Sequence, residues 1–286
     1  MHMAFVRTRI KRERNSTVTE QPVMSPLSTL LFLLLAFIRP SKPHPTDVFI
    51  LAGQSNMSGR GGVHNNVWDG VIPPECRPDP SIQRLSASLQ WEEAHEPLHA
   101  DIDVYGVCGV GPGMSFAKAV RSRNVVMMGL VPCAVGSTSI DDWSKGGKLY
   151  GTMIRRVQAA VSWGGTIRAV LWYQGEKDAI SEELARAYRP KMERFVGDLR
   201  GDLGLPSLLL IQVAIATGQG PYKDIVRAAQ KAIQLPNVVT VDALGLQIAE
   251  DHVHLTTQAQ VQLGKMLASA YMAHSTASPQ VLSTSP

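Results

Sequence analysis

The chain reads as an α/β protein built on a doubly wound, mostly parallel sheet. Three observations predict this. Short apolar runs recur along the chain, and most are continuous rather than alternating, as in strands covered on both faces. Stretches with helical periodicity separate them, and strand alternating with helix favours parallel pairing. The composition is that of an ordinary globular protein: 286 residues, 44% hydrophobic, 18% charged, 24 Gly and 18 Pro. Collagenous, disordered and coiled-coil classes are excluded on that ground.

Five strands are expected, at 47–52 (DVFILA), 124–129 (NVVMMG), 167–173 (IRAVLWY), 207–213 (SLLLIQV) and 238–242 (VVTVD). Helices are expected near 114–122, 149–162, 182–201, 222–234 and 257–273. In the third, Leu184, Tyr188, Met192, Phe195 and Leu199 recur at helical spacing with charges between them. The last opens with Thr257 and Gln260, the spacing of a capping box. The segment 58–100 is Pro-rich and reads as surface loops, a length that is often functional inside a domain.

Three sections follow: a leader at 1–46, a catalytic-sized domain at 47–275, and a flexible tail at 276–286. The formal charge of +4 belongs to the leader, which holds seven basic and two acidic residues. The rest carries 21 basic and 22 acidic residues, with no basic stripe, so a nucleic-acid partner is not expected. Residues 27–38 (LSTLLFLLLAFI) would span about 18 Å as a helix, against about 30 Å of hydrocarbon. That suits a signal peptide, and hence a secreted or endomembrane protein. An uncleaved membrane anchor and a start at Met24, which would leave the protein cytoplasmic, are the competing readings. Cys76, Cys108 and Cys133 are too few for a disulfide scaffold; at most one bridge forms.

In an open α/β sheet ligands bind beyond the carboxyl ends of the strands. After the first strand comes GQSNMSG at 53–59. Its Ser55 stands at a strand-to-helix turn, where free backbone N–H groups can meet an oxyanion. After the third strand comes Gln174-Gly175-Glu176, an amide donor beside a residue that allows close approach. Near the C-terminus, Asp251 and His254 are spaced to meet in a turn, the carboxylate fixing the imidazole tautomer. His252 is the alternative base. A zinc reading of His252, His254 and Asp251 lacks a further ligand at suitable spacing. The glycines at 109–113 form no Walker motif, because no Lys-Ser/Thr follows; Gly111 or Gly113 could offer an N–H. A nucleophile, polar donors and an Asp/His pair are the parts of acyl transfer.

Five blocks in order carry a family resemblance: FILAGQSNM at 49–57, GPGMSFA at 111–117, GLVPCAVG at 129–136, WYQGE at 172–176 and DHVHLT at 251–256. The body resembles the SGNH (GDSL-like) hydrolase superfamily, and within it the sialate O-acetylesterase-type carbohydrate esterases. The resemblance implies a three-layer sandwich with a five-stranded sheet in flavodoxin-like order. It implies Ser55 as nucleophile, His254 as base and Asp251 as its orienting carboxylate. It implies an oxyanion hole from the Ser55 N–H, a glycine N–H at Gly113 or Gly111, and the Gln174 side chain. Gln54, Asn56 and Glu176 become supporting residues. Gln54 and Gln174 stand where the wider superfamily has Asp and Asn, which fits the carbohydrate-esterase branch.

The implied activity is removal of O-acetyl groups from carbohydrate through an acyl-enzyme, with acetylated carbohydrate as the partner and no metal or cofactor. A non-catalytic carbohydrate-binding protein on the same fold, and a GDSL-type lipase or thioesterase, are the alternatives. Among Trp68, Trp91, Trp143 and Trp163, Trp143 is the candidate for a sugar-stacking ring. Asn56-Met57-Ser58 is a formal glycosylation sequon, expected to be unmodified because a glycan there would block the pocket. Asn15-Ser16-Thr17 is a second sequon, within the leader.

Overall fold

The apolar run after position 46 becomes the central strand of the sheet. The computed structural model describes residues 44–121, 127–162 and 164–277. In chain order the elements are β1 (Asp47–Gly53), α1 (Ser55–Ser58), β2 (Val63–His64), β3 (Val67–Trp68), β4 (Ile82–Leu85), β5 (Trp91–Glu93) and α2 (Gly113–Arg121). Then come β6 (Met128–Pro132), α3 (Lys148–Val161), β7 (Thr166–Tyr173), α4 (Glu182–Leu203), β8 (Leu209–Ala214), α5 (Lys223–Lys231), β9 (Val238–Asp242) and α6 (Thr257–Ala277).

The main sheet has seven strands in the order β5-β4-β6-β1-β7-β8-β9, and only the β4–β5 pair is antiparallel. The five expected strands lie in the order second, first, third, fourth, fifth, the flavodoxin-like arrangement. The count is corrected from five to seven. Both added strands come from the segment read as loops. IQRL and WEE are short and partly polar, and Arg84 sits within the first as a buried residue held by Asp101 and Glu92. The second expected strand is shifted: β6 begins at Met128, opposite Asp47 and Ile82, and ends at Pro132, which has no N–H to continue a ladder. Residues 122–126 of that expectation lie outside the described residues.

Helices cover both faces. Phe49 pairs with Ala169 and Ala52 with Trp172, so Phe49 and Trp172 point to opposite sides of the sheet. Phe49 meets Phe116 of α2 and Tyr271 of α6 edge-on, at 5.1 and 5.0 Å between ring centres. Trp172 meets Phe195 of α4 at 4.5 Å. The α2–α6 crossing is close: a side chain at Gly264 would stand 1.9 Å from Ser115 Oγ and 2.4 Å from the Pro112 carbonyl oxygen.

Helix ends follow local chemistry. The Ser181 hydroxyl accepts the Leu184 N–H at the start of α4, and Gly204 closes its end in the left-handed region. At α6 the expected Thr257–Gln260 box is replaced. Thr256 is the cap, its Oγ1 accepting the Ala259 N–H, while Gln260 is buried and turned toward Asn56.

The ordered fold starts before residue 47. The Thr46 N–H donates to the Met127 carbonyl and the Thr46 carbonyl accepts from Thr166. The leader up to residue 43, Trp163, and the tail from 278 lie outside the described residues. Cys76, Cys108 and Cys133 are three separate, buried free thiols. Burial pushes Cys108 and Cys133 up to about 11 and Cys76 higher still, so all three are poor nucleophiles at neutral pH.

Candidate active site

At the carboxyl end of β1 the chain turns where only glycine fits. Gly53 has φ +128, and a side chain there would lie 2.1 Å from the Tyr173 carbonyl oxygen. That closeness lets the Gln54 N–H donate to the same oxygen at 2.8 Å, locking the turn to β7. Ser55 opens α1 immediately afterwards and is 4% exposed.

From the other end of the chain, a hairpin-like loop brings His254 to it. The Ala249 N–H donates to the His254 carbonyl and the His252 N–H to the Ala249 carbonyl, with His252 at φ 61. His254 Nε2 lies 2.9 Å from Ser55 Oγ, and His254 Nδ1 lies 2.5 Å from Asp251 Oδ2. Asp251 Oδ1 accepts the Val253 and His254 N–H groups at 2.9 Å each. Partial burial pushes the Asp251 carboxyl upward, but those N–H groups and the imidazole outweigh it and hold it below its ordinary value. His252 is exposed and lies outside this chain of contacts.

Asn56 ties the two ends together. Its Nδ2 donates to Glu176 Oε1 at 2.7 Å and to the Val253 carbonyl at 3.2 Å, and its Oδ1 accepts the Leu255 N–H at 3.0 Å. The residue is fully buried, so its sequon presents no acceptor to solvent. Glu176 is also fully buried, and burial pushes its carboxyl up to about 7, against the pull of Asn56.

Several expected roles are corrected. Gln174 Nε2 donates to the Thr138 carbonyl at 2.8 Å and to Asp178 Oδ2 at 2.6 Å, so both amide hydrogens are engaged away from Ser55. Gln54 is equally buried, its Oε1 facing the Gly175 and Lys177 N–H groups. These two glutamines brace the β1 and β7 turns. The Gly111 N–H is turned to the Glu96 carboxylate, and a side chain at Gly113 would meet Leu98 and Leu51 in the core. Gly136 is the glycine beside the nucleophile position: a side chain there would stand 3.5 Å from Ser55 Cβ. Neither the Ser55 nor the Gly136 N–H has a protein acceptor among the described residues. Trp143 is fully buried, its Nε1 donating to Thr138 Oγ1 and its ring edge-on to Trp172. It is a core residue and offers no face to a sugar.

Sequence reasoning missed Arg60 and Asp103. Arg60 lies 2.5 Å from Asp103 Oδ2 and donates to Ser58 Oγ and to the Gly59 carbonyl. Asp103 Oδ2 also accepts from Ser58 Oγ at 2.7 Å. The only signal was an Arg closing the GQSNMSGR run; its acidic partner lies 43 residues on, with no motif around it. No group of three metal-ligating side chains gathers among the described residues.

A family model described as carbohydrate esterase, sialic acid-specific acetylesterase, matches residues 45–273. The chain is 56% identical over 239 residues to a probable carbohydrate esterase of Arabidopsis thaliana, covering 80% of this chain and 92% of that protein. The X-ray structure of that Arabidopsis protein matches with a TM-score of 0.78 at 56% identity, over 80% of this chain and 98% of its own. NanS matches with a TM-score of 0.68 at 15% identity, over 82% and 99%. A carbohydrate acetylesterase from Xanthomonas citri gives 0.58 at 21% identity, over 78% and 55%. The last two show likeness of fold alone. Fold and family together define a carboxylic-ester hydrolase. The chain belongs to the carbohydrate esterase, sialic acid-specific acetylesterase family.

Proposed function

We propose that the chain is a serine esterase that removes O-acetyl groups from carbohydrate through an acyl-enzyme. The observation that carries this reading is the 2.9 Å approach of His254 Nε2 to Ser55 Oγ, with Asp251 behind the imidazole.

His254 takes the Ser55 proton as Oγ attacks the ester carbonyl carbon. Asp251 holds the tautomer that leaves Nε2 free as base, then steadies the imidazolium. The Ser55 and Gly136 N–H groups receive the oxyanion; losing one such donor typically costs about 10²–10³ in turnover. His254 returns the proton to the departing sugar hydroxyl, leaving acetyl on Ser55. Water, deprotonated by His254, then attacks the acetyl carbonyl and releases acetate.

Hydrolysis of p-nitrophenyl acetate tests the reading. Ser55→Ala should reduce it to background. Full activity in that variant would overturn the assignment.

A further inference from the structure

One cavity of about 440 Å³ contains the candidate base. Its walls come from three segments, 60–66, 106–107 and 249–254, the last carrying Asp251 and His254. Small-ligand pockets have volumes of about 300–1,000 Å³, so this one has room for a sugar ring. In the proposed reaction His254 returns a proton to the departing alcohol. The alcohol part of the ester must therefore occupy the cavity that His254 lines.

The first wall segment includes part of the β2–β3 hairpin. Val63 pairs with Trp68 and His64 with Val67, which leaves Asn65 and Asn66 as a two-residue turn. Both are left-handed, at φ 49 and 59, the pattern of a type I′ turn. The hairpin is braced at its base. Gly61 and Val110 each donate an N–H to the other's carbonyl, at 3.0 and 2.9 Å. Val63 and Trp68 close over Gly109, where a side chain would stand 2.9 Å from either. A braced hairpin loses little freedom when its tip binds a ligand.

His64, Asn65 and Asn66 all line the cavity and are exposed. Their side chains have no hydrogen-bond or ion-pair partner among the described residues. Arg60, in the same wall, is already held by Asp103, Ser58 and the Gly59 carbonyl. Glycine at 65 and 66 would satisfy the turn as well. What the two asparagines add is a pair of amides, each with donors and an acceptor.

We propose that the β2–β3 hairpin is the recognition arm for the sugar that carries the ester. Asn65, Asn66 and His64 hydrogen-bond its free hydroxyls while His254 acts at its acetylated oxygen. This rests on the esterase reading above and assigns the residues that select the alcohol.

Asn65→Gly combined with Asn66→Gly tests it, because this pair keeps the turn and removes both amides. The measurement is kcat/KM for acetate release from an acetylated sugar, divided by kcat/KM for p-nitrophenyl acetate, which has no sugar hydroxyls. The sugar is whichever the wild type turns over fastest among acetylated xylo-oligosaccharide, acetylated galacturonate and O-acetylated sialic acid. A general loss of activity cancels in the ratio. The ratio should fall about tenfold in the glycine pair, through KM more than kcat, and several-fold in His64→Ala. Ratios unchanged in both variants, or a fall carried by kcat alone, would overturn the inference and leave the esterase reading standing. A wild type that hydrolyses p-nitrophenyl acetate and none of the three sugars would also overturn it. Wild-type protein inert toward p-nitrophenyl acetate would overturn both.

Discussion

The Asn56 side-chain amide reaches across the site to Glu176 Oε1 at 2.7 Å, joining the turn after β1 to the turn after β7. The same side chain holds the Val253 carbonyl and the Leu255 N–H on either side of His254. Ser55 and His254 are therefore positioned by one buried residue. Asn56→Ala leaves Glu176 Oε1 and the Leu255 N–H without this partner, at about 1–3 kcal/mol for each group left unsatisfied, while the Val253 carbonyl keeps the Thr217 hydroxyl. The expected result is a lower unfolding midpoint and a fall in kcat that exceeds the change in KM. Thermal unfolding combined with p-nitrophenyl acetate kinetics checks both.

The Arg60–Asp103 pair carries a second prediction. The Asp103 side chain is completely buried, so removing its counter-charge strands a carboxylate. Arg60→Ala should cost about 3–5 kcal/mol, measured by denaturant unfolding. Arg60→Lys should recover little, because one ammonium cannot reproduce the separate guanidinium contacts to Asp103, Ser58 and Gly59.

Trp143 separates a core role from a substrate role. With its ring fully buried against Trp172, Trp143→Ala should destabilise the fold by about 3–5 kcal/mol. Trp143→Phe should cost less and leave KM for glycan substrates unchanged. A raised glycan KM in a stably folded Trp143→Phe protein would return this residue to the binding surface.

Glu96 gives the fold a pH dependence outside the candidate site. Burial pushes its carboxyl up to about 8, against the Leu98 and Gly111 N–H groups that favour the charged form. The folded protein thus holds this proton more tightly than the unfolded chain, whose carboxyl keeps the ordinary value of 4.5. The contribution is fully present below about pH 4.5 and is lost as pH climbs through 8. Glu96→Gln, which keeps an acceptor for Leu98, should flatten that decline. Unfolding midpoints compared between pH 5 and 9 should move in favour of the variant as pH rises.

Much of this arrangement was readable from the chain. The apolar runs of β1 and β8, and of β7 from Ala169 to Tyr173, are buried throughout or nearly so, and burial on both faces is what such runs encode. The Asp251–His254 spacing was readable because both groups sit in one turn, where sequence distance limits spatial distance. The added edge strands were not readable. β4 carries a buried Arg whose neutralising carboxylates come from elsewhere, and β5 has only three residues. The glycine that lies beside Ser55 was not readable for a related reason. Gly111, Gly113 and Gly136 all precede or follow core elements, and only the folded backbone decides which one reaches Ser55. The direction of Trp143 was equally hidden, since an indole after a strand can turn inward as readily as outward.

Covalent trapping reports on the activated serine itself. A fluorophosphonate probe bonds to an activated serine Oγ with release of fluoride, and intact-mass and peptide analysis locate the adduct. A single adduct on Ser55 is expected in the wild type and in His252→Ala, and little or none in His254→Ala. Labelling at another residue, or equal labelling of Ser55 without His254, would contradict it.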